Sequence, residues 1–349
     1  MKHRYEQRSK GSGLLKFFLA ILGLAVGLYG SLYAWLAKTH YTPIAVVSDV
    51  GDVVAEDMSL YTEIQSGSHV PVYVDPDFPI QKVPKKDLRV DNYLIVGTDS
   101  RGEEVARTDS MIILSVDRRH RVIKLSSLMR DIEVDLPGRE GMGDKLNAAY
   151  AFGGIGLLIN TVNESFDLDI QQFMLLDFWS AVDVVDTMGG VNIDIRDDEV
   201  WAVNDVVYEM NSLMGNPAEA NLLSGGGNQT LNGTQAIAWA RVRAVDSDHE
   251  RTGRQRVLIG AILQKFSSLN PLDQMETATA VLEQMGTNMR PNNLLSLGFS
   301  SILGTKELMD YKVPADESMY TTDGSNWNIL LDWDAQVPAL HDFIYQAAP

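Results

Sequence analysis

The chain has 349 residues, of which 45% are hydrophobic, so it can bury a substantial core in one large domain or two ordinary ones. Its formal net charge of −18 disfavours general binding to nucleic acid, because two polyanions repel each other. Cysteine is absent, which excludes disulfide bonds, thiol catalysis and thiolate metal sites.

The N-terminus predicts a membrane anchor. Residues 1–16 form a basic tail, and residues 17–37 are an uncharged apolar run whose helical length would be about 31 Å, the thickness of a hydrocarbon core. A cleaved signal peptide is the alternative, but its apolar core would be shorter and its cleavage site would have small residues before it. The basic flank predicts a single-pass protein of the cell membrane with a cytoplasmic N-terminus and an extracytoplasmic remainder.

The rest of the chain divides into two parts. Residues 38–89 are punctuated by prolines, and we interpret them as an extracytoplasmic stalk or small accessory region. Residues 90–349 alternate strand-like apolar runs with helical spacing. This alternation predicts a single layered α/β domain, with a central mixed sheet flanked by helices.

The elements of this domain can be predicted in chain order. Strands are predicted at 90–97, 109–116, 121–127, 173–178 and 191–195. Helices are predicted at 147–166, where glycines interrupt the pattern, at 178–188, from an N-cap at Thr234, from Arg251, and at 339–345. Residues 211–233 are rich in Asn, Gly and Pro and are predicted to form a loop. The apolar segments 148–166 and 173–185 are interpreted as core, and the lining of an apolar tunnel is the alternative.

Cationic charge is concentrated between Trp239 and Arg256. This segment contains five arginines, namely Arg241, Arg243, Arg251, Arg254 and Arg256. Guanidinium groups this close repel one another unless an anion lies among them, and their donor forks match phosphate oxygens. We therefore predict the wall of a phosphate site, with Gln255 beside it and Arg256 as the most solvated member. The alternative is a solvated basic face that pairs with the acids of the same segment.

Two aspartates lie at predicted strand ends. Asp99 follows the strand that ends at Gly97, and Asp109 begins the next strand, so both can meet at one edge of the sheet. Arg101 and Arg107 flank them. Two carboxylates beside phosphate-binding arginines suit Mg²⁺. The alternative is that Asp99 caps a turn and that Asp109 pairs with a neighbouring arginine.

Three further polar residues are candidates for the same site. Arg130 follows the strand that ends near Ser127 and would project beside the two aspartates, although an ordinary ion pair with Asp131 is the alternative. Lys145 and Asn147 stand at a helix start, where they could contact phosphate or sugar.

Seven motifs in order resemble the LytR-CpsA-Psr family of cell-envelope proteins. Between about residues 90 and 265 they are NYLIVGTDSR, ARTDSMIILSVD, LSSLMRD, KLNAAYAFGG, MGGVNIDI, LNGTQAIAWARVR and DxxRxxRQ. The chain departs from the family pattern at His249-Glu250, where an aromatic-Gly pair is common, and at Arg256, where a second Gln is common. These departures affect the rim of the site.

The resemblance implies an extracytoplasmic phosphotransferase, with residues 90–349 as its catalytic domain. It would move an anionic glycopolymer, of the teichoic acid or capsular type, from a polyprenyl diphosphate carrier to a peptidoglycan sugar hydroxyl. The implied partners are the lipid-linked polymer, peptidoglycan and the cytoplasmic membrane. Two alternatives stay open: a non-catalytic polyprenyl-diphosphate-binding or regulatory protein, and a pyrophosphate hydrolase acting on the same lipid.

The resemblance also assigns residues by motif position. Asp99 and Asp109 would hold Mg²⁺ or Mn²⁺, and one of them would act as the base for the acceptor hydroxyl. The diphosphate would be held by Arg107, Arg130, Arg241, Arg243 and Arg251, with Gln255 beside them. Possible additional contacts are Arg101, Lys145 and Arg254.

Overall fold

The computed structural model describes most of the chain after residue 71. The described residues are 46–47, 72–98, 108–138, 141, 143–245, 248–270, 273–274, 277, 285–289, 307–324 and 327–346. The predicted anchor at 17–37 and most of the predicted stalk lie outside these ranges, as do Asp99, Arg101 and Arg107. None of the helices in the described part of the chain combines the length and apolarity needed to cross a membrane.

The strands and helices follow the predicted alternation. The strands are β1 (Val46–Val47), β2 (Ile80–Gln81), β3 (Val90–Thr98), β4 (Thr108–Asp117), β5 (Val122–Leu128), β6 (Glu133–Val134), β7 (Asp144–Lys145), β8 (Phe173–Asp177), β9 (Val191–Ile195), β10 (Gly227–Leu231), β11 (Gly286–Thr287), β12 (Glu307–Val313), β13 (Tyr320–Thr322) and β14 (Ile329–Leu331). The α-helices are α1 (Ala148–Phe166), α2 (Phe178–Thr187), α3 (Val200–Met214), α4 (Gly233–Arg241), α5 (Asp248–Ser268) and α6 (Trp333–Tyr345).

A six-stranded mixed sheet forms the centre of the fold, in the order β11-β8-β3-β4-β5-β12. Strands β3, β4 and β5 pair antiparallel in succession, whereas β8 and β12 add parallel to β3 and β5. One face packs in the main core with α1 and α6, and the other carries a smaller cluster that includes Ile259 of α5. The prediction of a mixed sheet flanked by helices is confirmed, and the segments 148–166 and 173–175 contribute to the main core.

A second apolar cluster joins α2, α3, α4 and the two-stranded β9-β10 ribbon. Strand β10 falls inside the segment predicted to be a loop, so that prediction is wrong at this point. Its sequence is polar, and its strand conformation is established by antiparallel pairing with β9. Helix α6 likewise begins earlier than predicted, because the side chain of Asp332 accepts a hydrogen bond from the backbone amide of Ala335 and caps it.

The folded domain begins before residue 90. Val72 and Ile80 lie in the main core, and the backbone amide of Ile155 in α1 donates to the carbonyl oxygen of Tyr73 at 3.0 Å. Residues 72–89 therefore pack as part of the domain and do not form a separate stalk. Glycine is required where residues 72–89 meet α1, because Gly154 has a φ of +63°. The helix is interrupted at this position, as predicted.

We expect Gly156→Ala to lower the free energy of unfolding by about 1–3 kcal/mol, the usual cost of overpacking a core. A Cβ atom at Gly156 would lie 1.8 Å from the carbonyl oxygen of Phe78, so the backbone of the 72–81 segment must move. Gly225→Ala is the matched control, because a Cβ there meets no atom within 4 Å. Urea denaturation measures the free energy of unfolding of both variants. Equal unfolding midpoints for the two would contradict this account of the packing.

Candidate phosphate-binding site

The ends of three neighbouring strands place the predicted residues at one edge of the sheet. Strand β3 ends at Thr98 where its antiparallel partner β4 begins, and β5 ends at Leu128 opposite Met111. Asp109 near the start of β4 and Arg130 just after β5 are therefore neighbours in space. The predicted meeting of strand ends is confirmed for this pair, while Asp99 lies outside the described residues.

A β-bulge directs the Asp109 side chain. Gly97 pairs with Ser110, but Thr98 pairs with Thr108, so Asp109 is the extra residue on β4. A bulge interrupts the alternation of side chains between the two faces of a sheet and can re-aim one of them. The carboxylate of Asp109 is consequently accessible at the sheet edge, with 23% of the side chain exposed.

Three of the predicted arginines converge on Asp109. Its Oδ1 atom accepts a hydrogen bond from Nη1 of Arg130 at 2.8 Å and lies 3.5 Å from Nη2 of Arg243. Nη1 of Arg251 donates to the backbone carbonyl oxygen of Asp109 at 3.5 Å. Tertiary structure thus gathers guanidinium groups from the end of β5, the segment after α4 and the start of α5 around one acidic residue.

Asp131 extends this cluster to Lys145. Its Oδ2 atom lies 3.4 Å from Nε of Arg130, and its Oδ1 atom accepts from Nζ of Lys145 at 2.6 Å. The sequence suggested Asp131 only as an alternative partner for Arg130, whereas the structure shows that Arg130 contacts Asp109 and Asp131 together. The feature of the sequence that could have identified Asp131 as part of the site is its position directly after Arg130.

Asn147 is joined to the same cluster through its backbone. Its backbone amide donates to the carbonyl oxygen of Arg130 at 3.2 Å, which joins the start of α1 to the loop that carries Arg130. The side chain is buried, and within the described part of the chain its Oδ1 atom accepts no hydrogen bond. Asn147 therefore supports the position of Arg130 through the backbone.

Helix α4 positions Arg241 and Arg243 differently. The helix starts with a capping box between Asn232 and Gln235, so the predicted N-cap at Thr234 is wrong by two residues. It ends at Arg241, and the extended conformation of Val242 then separates the two arginines. Arg243 faces Asp109, whereas Nη2 of Arg241 lies 3.5 Å from Oε1 of Glu209 on α3.

Arg254 does not belong to the phosphate wall, contrary to the prediction. It is 5% exposed, and its Nε donates to Oε1 of Glu199 at 2.9 Å, while Nη1 donates to the carbonyl oxygen of Val242. Glu199 also accepts from the indole Nε1 of Trp239 at 3.2 Å. This buried network holds the chain between α4 and α5, and so it fixes the backbone that carries Arg243.

Arg256 is also placed differently from the prediction. Its side chain is largely buried and pairs through Nε with Asp310 at 2.9 Å, whereas Arg243 is half exposed and is the more solvated of the two. With Arg254 and Glu199, Arg256 lines a cavity of about 440 Å³ whose lining includes neither Asp109 nor Arg130. Gln255 is half-buried on the same helix.

The donor chemistry at the sheet edge fits a magnesium ion. Asp109 supplies a hard, accessible carboxylate, and Mg²⁺ is typically held by one or two carboxylates together with substrate phosphate oxygens and water. Among the described residues, no three His, Asp or Glu side chains are grouped to hold a metal. Of the two predicted metal ligands, Asp109 is the one that lies within the described residues.

Comparisons with known proteins agree with this architecture. TagU of Bacillus licheniformis, a polyisoprenyl-teichoic acid–peptidoglycan teichoic acid transferase, is 26% identical over 284 residues, which cover 80% of this chain and 79% of that protein. A solved protein of Streptococcus agalactiae is 25% identical with a TM-score of 0.60, covering 73% of this chain and 86% of that one.

A third relative was solved with a ligand. The Bacillus subtilis protein YwtF (TagT), with bound octaprenyl pyrophosphate lipid, has a TM-score of 0.56 and 22% identity, covering 75% of this chain and 94% of that one. At this identity the likeness shows a shared fold. The model of the LytR_cpsA_psr family matches residues 61–332, which include every strand of the central sheet and all the candidate residues. The chain belongs to the LytR_cpsA_psr family.

Proposed function

We propose that this chain transfers an anionic glycopolymer of the teichoic acid type from a polyprenyl diphosphate carrier to a sugar hydroxyl of peptidoglycan. The observation that carries the proposal is the convergence of Arg130, Arg243 and Arg251 on Asp109 at the sheet edge. The teichoic acid transferase activity of TagU and the octaprenyl pyrophosphate lipid bound to YwtF (TagT) support the same substrate class.

The arginine cluster explains how a diphosphate would be held. Asp109 and Asp131 are the counter-ions of the cations around them. Two oxygens of a phosphate group can accept from one guanidinium group as the two oxygens of a carboxylate do, and a diphosphate carries more charge, so the guanidinium groups of Arg130 and Arg243 can turn to it. Arg243 is half exposed and is therefore the one with the most freedom to follow the substrate.

The transfer itself exchanges one phosphorus–oxygen bond for another. The acceptor hydroxyl oxygen forms a bond to the phosphorus that carries the polymer, and the bond from this phosphorus to the polyprenyl phosphate breaks. The hydroxyl proton passes to a carboxylate at the sheet edge, for which Asp109 and Asp99 are the candidates. Bound Mg²⁺, held by Asp109 and Asp99, would neutralise charge on the diphosphate. Arg130 and Arg251 would stabilise the charge that develops on the leaving phosphate.

The proposed reaction also implies a location at the membrane. A polyprenyl carrier is confined to the membrane, and residues 17–37 are the segment of this chain with the length and apolarity to cross it. We propose a single-pass anchor with the described domain on the extracytoplasmic side.

Removal of divalent ions should abolish transfer. We expect the full chain, supplied with a lipid-linked teichoic acid precursor and peptidoglycan, to release polyprenyl monophosphate and to attach polymer to peptidoglycan in Mg²⁺. Chelation with EDTA should stop both products, and added Mg²⁺ should restore them, because the phosphate charge is then neutralised again. Chromatography of the lipid product and mass spectrometry of digested peptidoglycan measure the two products.

The same assay separates the alternatives. Undiminished turnover in EDTA would contradict the metal-assisted scheme. Donor binding without turnover in Mg²⁺ would identify a binding or regulatory protein. Polymer phosphate released into water at the same rate with and without peptidoglycan would identify a hydrolase.

A further inference from the structure

Helix α3 presents two exposed aromatic side chains on one face. Trp201 is 53% exposed and Tyr208 is 42% exposed. They are seven residues apart, so they lie on the same side of the helix, separated by about 10.5 Å along its axis. Asp205 lies between them and is also exposed. Packing does not require this face, because the core side of α3 is formed by other residues, which are Ala202, Val203, Val207 and Met210.

This surface contacts the end of α4, two residues before Arg243. Glu209 follows Tyr208, is half exposed, and pairs with Arg241, the last residue of α4. We call Trp201, Asp205, Tyr208 and Glu209 the α3 face. A molecule lying along it would extend from the end of α4 toward the start of α3.

The composition of the α3 face selects among possible partners. Helix α3 carries the acids Asp205 and Glu209 and contains no Lys or Arg. An anionic polymer or an anionic lipid surface would be repelled by it. A sugar chain matches both of its features, since aromatic rings pack against the apolar faces of pyranose rings and carboxylates accept hydrogen bonds from hydroxyl groups. Two rings in line can contact two separate units of one sugar chain.

We propose that the α3 face binds the glycan chain of the acceptor and presents one of its hydroxyl groups to the phosphate held by the arginine cluster. This inference rests on the proposed function, since it names the surface that the second substrate uses. The occupant is an uncharged stretch of N-acetylhexosamine units. Its stacking on Trp201 and Tyr208 provides affinity, and the ion pair of Glu209 with Arg241 joins the α3 face to the end of α4, two residues before Arg243.

Binding of an N-acetylglucosamine hexasaccharide to the full chain tests the proposal directly. Trp201→Ala and Tyr208→Ala should each weaken binding by roughly three- to tenfold, the value of one aromatic stacking contact. Tyr208→Phe should bind within about twofold of the unaltered chain, because the ring is kept. Leu88→Ala is the control, because this side chain is 87% exposed beside the start of β3, at the opposite end of the strand from Asp109. Calorimetry measures affinity, and unchanged thermal melting verifies folding.

The transfer assay supplies an independent readout. In the Trp201→Ala/Tyr208→Ala double variant, the KM for peptidoglycan should rise by at least tenfold, while the KM for the lipid-linked donor stays unchanged. Wild-type hexasaccharide affinity and wild-type peptidoglycan KM in the double variant would overturn the proposal. Loss of binding to anionic vesicles with glycan affinity retained would overturn it in favour of a lipid surface. Glycan binding that depends on both rings in a chain with no transferase activity would support the α3 face and refute the proposed function.

Discussion

Arg130→Ala should lower the rate of polymer transfer by roughly 10³-fold or more, the range over which arginines that stabilise charge act in phosphoryl transfer. Arg130 contacts Asp109 and Asp131 at once, through Nη1 at 2.8 Å and Nε at 3.4 Å. Its loss removes a charge from the leaving phosphate and also leaves Asp109 and Asp131 without their shared cation. Both effects disfavour binding of a diphosphate beside Asp109 and Asp131.

Arg130→Lys distinguishes charge from geometry. Lysine restores a positive charge, but a single ammonium group does not reproduce the planar fork that spans two carboxylates. We therefore expect a rate between those of the unaltered chain and of Arg130→Ala. Folding should change little in either variant, because Asp109 and Asp131 are each more than one fifth exposed and are stabilised by water.

The matched control for Arg130 is Arg118→Ala. Arg118 also pairs with an aspartate, Asp91 at 2.6 Å, but this pair lies near the opposite end of β3 and β4. Initial rates of polyprenyl phosphate release should be within about twofold of the unaltered chain for this variant. Full activity of Arg130→Ala, or an equal loss in Arg118→Ala, would contradict a specific role for the cluster around Asp109.

Arg254→Ala should destabilise the protein by about 3–5 kcal/mol, the usual cost of breaking a buried ion pair by removing one partner. Glu199 is 4% exposed and would be left with no cation at its Oε1 atom except Arg196, whose Nη2 atom lies 3.6 Å away. The carbonyl oxygen of Val242 would lose a donor as well. Urea denaturation measures the loss of stability as a lower midpoint of unfolding. The dependence of the unfolding free energy on urea concentration should stay unchanged, so that the midpoint reports stability alone.

Arg256→Ala is the control on the same helix. Its partner Asp310 is 62% exposed, so water replaces the lost cation and the pair itself contributes about 1 kcal/mol or less. Replacing both members of the buried pair, as in Arg254→Met with Glu199→Leu, should recover part of the stability because no buried charge is left unpaired. A loss in Arg254→Ala no larger than that in Arg256→Ala would contradict the buried network.

The contrast between Arg251 and Arg254 shows how far the arginine segment could be predicted. Both residues are cations on the first turns of α5, three positions apart, and both matched family motifs. Arg251 reaches the backbone of Asp109, whereas Arg254 turns to Glu199, which is 55 residues away in the chain. Sequence spacing indicates which side chains share a helix, but the partner of a buried charge depends on which element packs against that helix.

Asp109 and Arg130 could be placed together from the sequence alone, because apolar runs define strand ends and antiparallel neighbours bring those ends to one edge. The central mixed sheet and the broken first helix were determined in the same way, by hydrophobic periodicity and by the glycines that interrupt it. Tertiary structure alone decided the bulge that exposes Asp109, the pairing of β10, the packing of residues 72–89 against α1 and the burial of Arg254. Each of these depends on contacts between residues far apart in the chain, and a local pattern of residue types carries no record of such contacts.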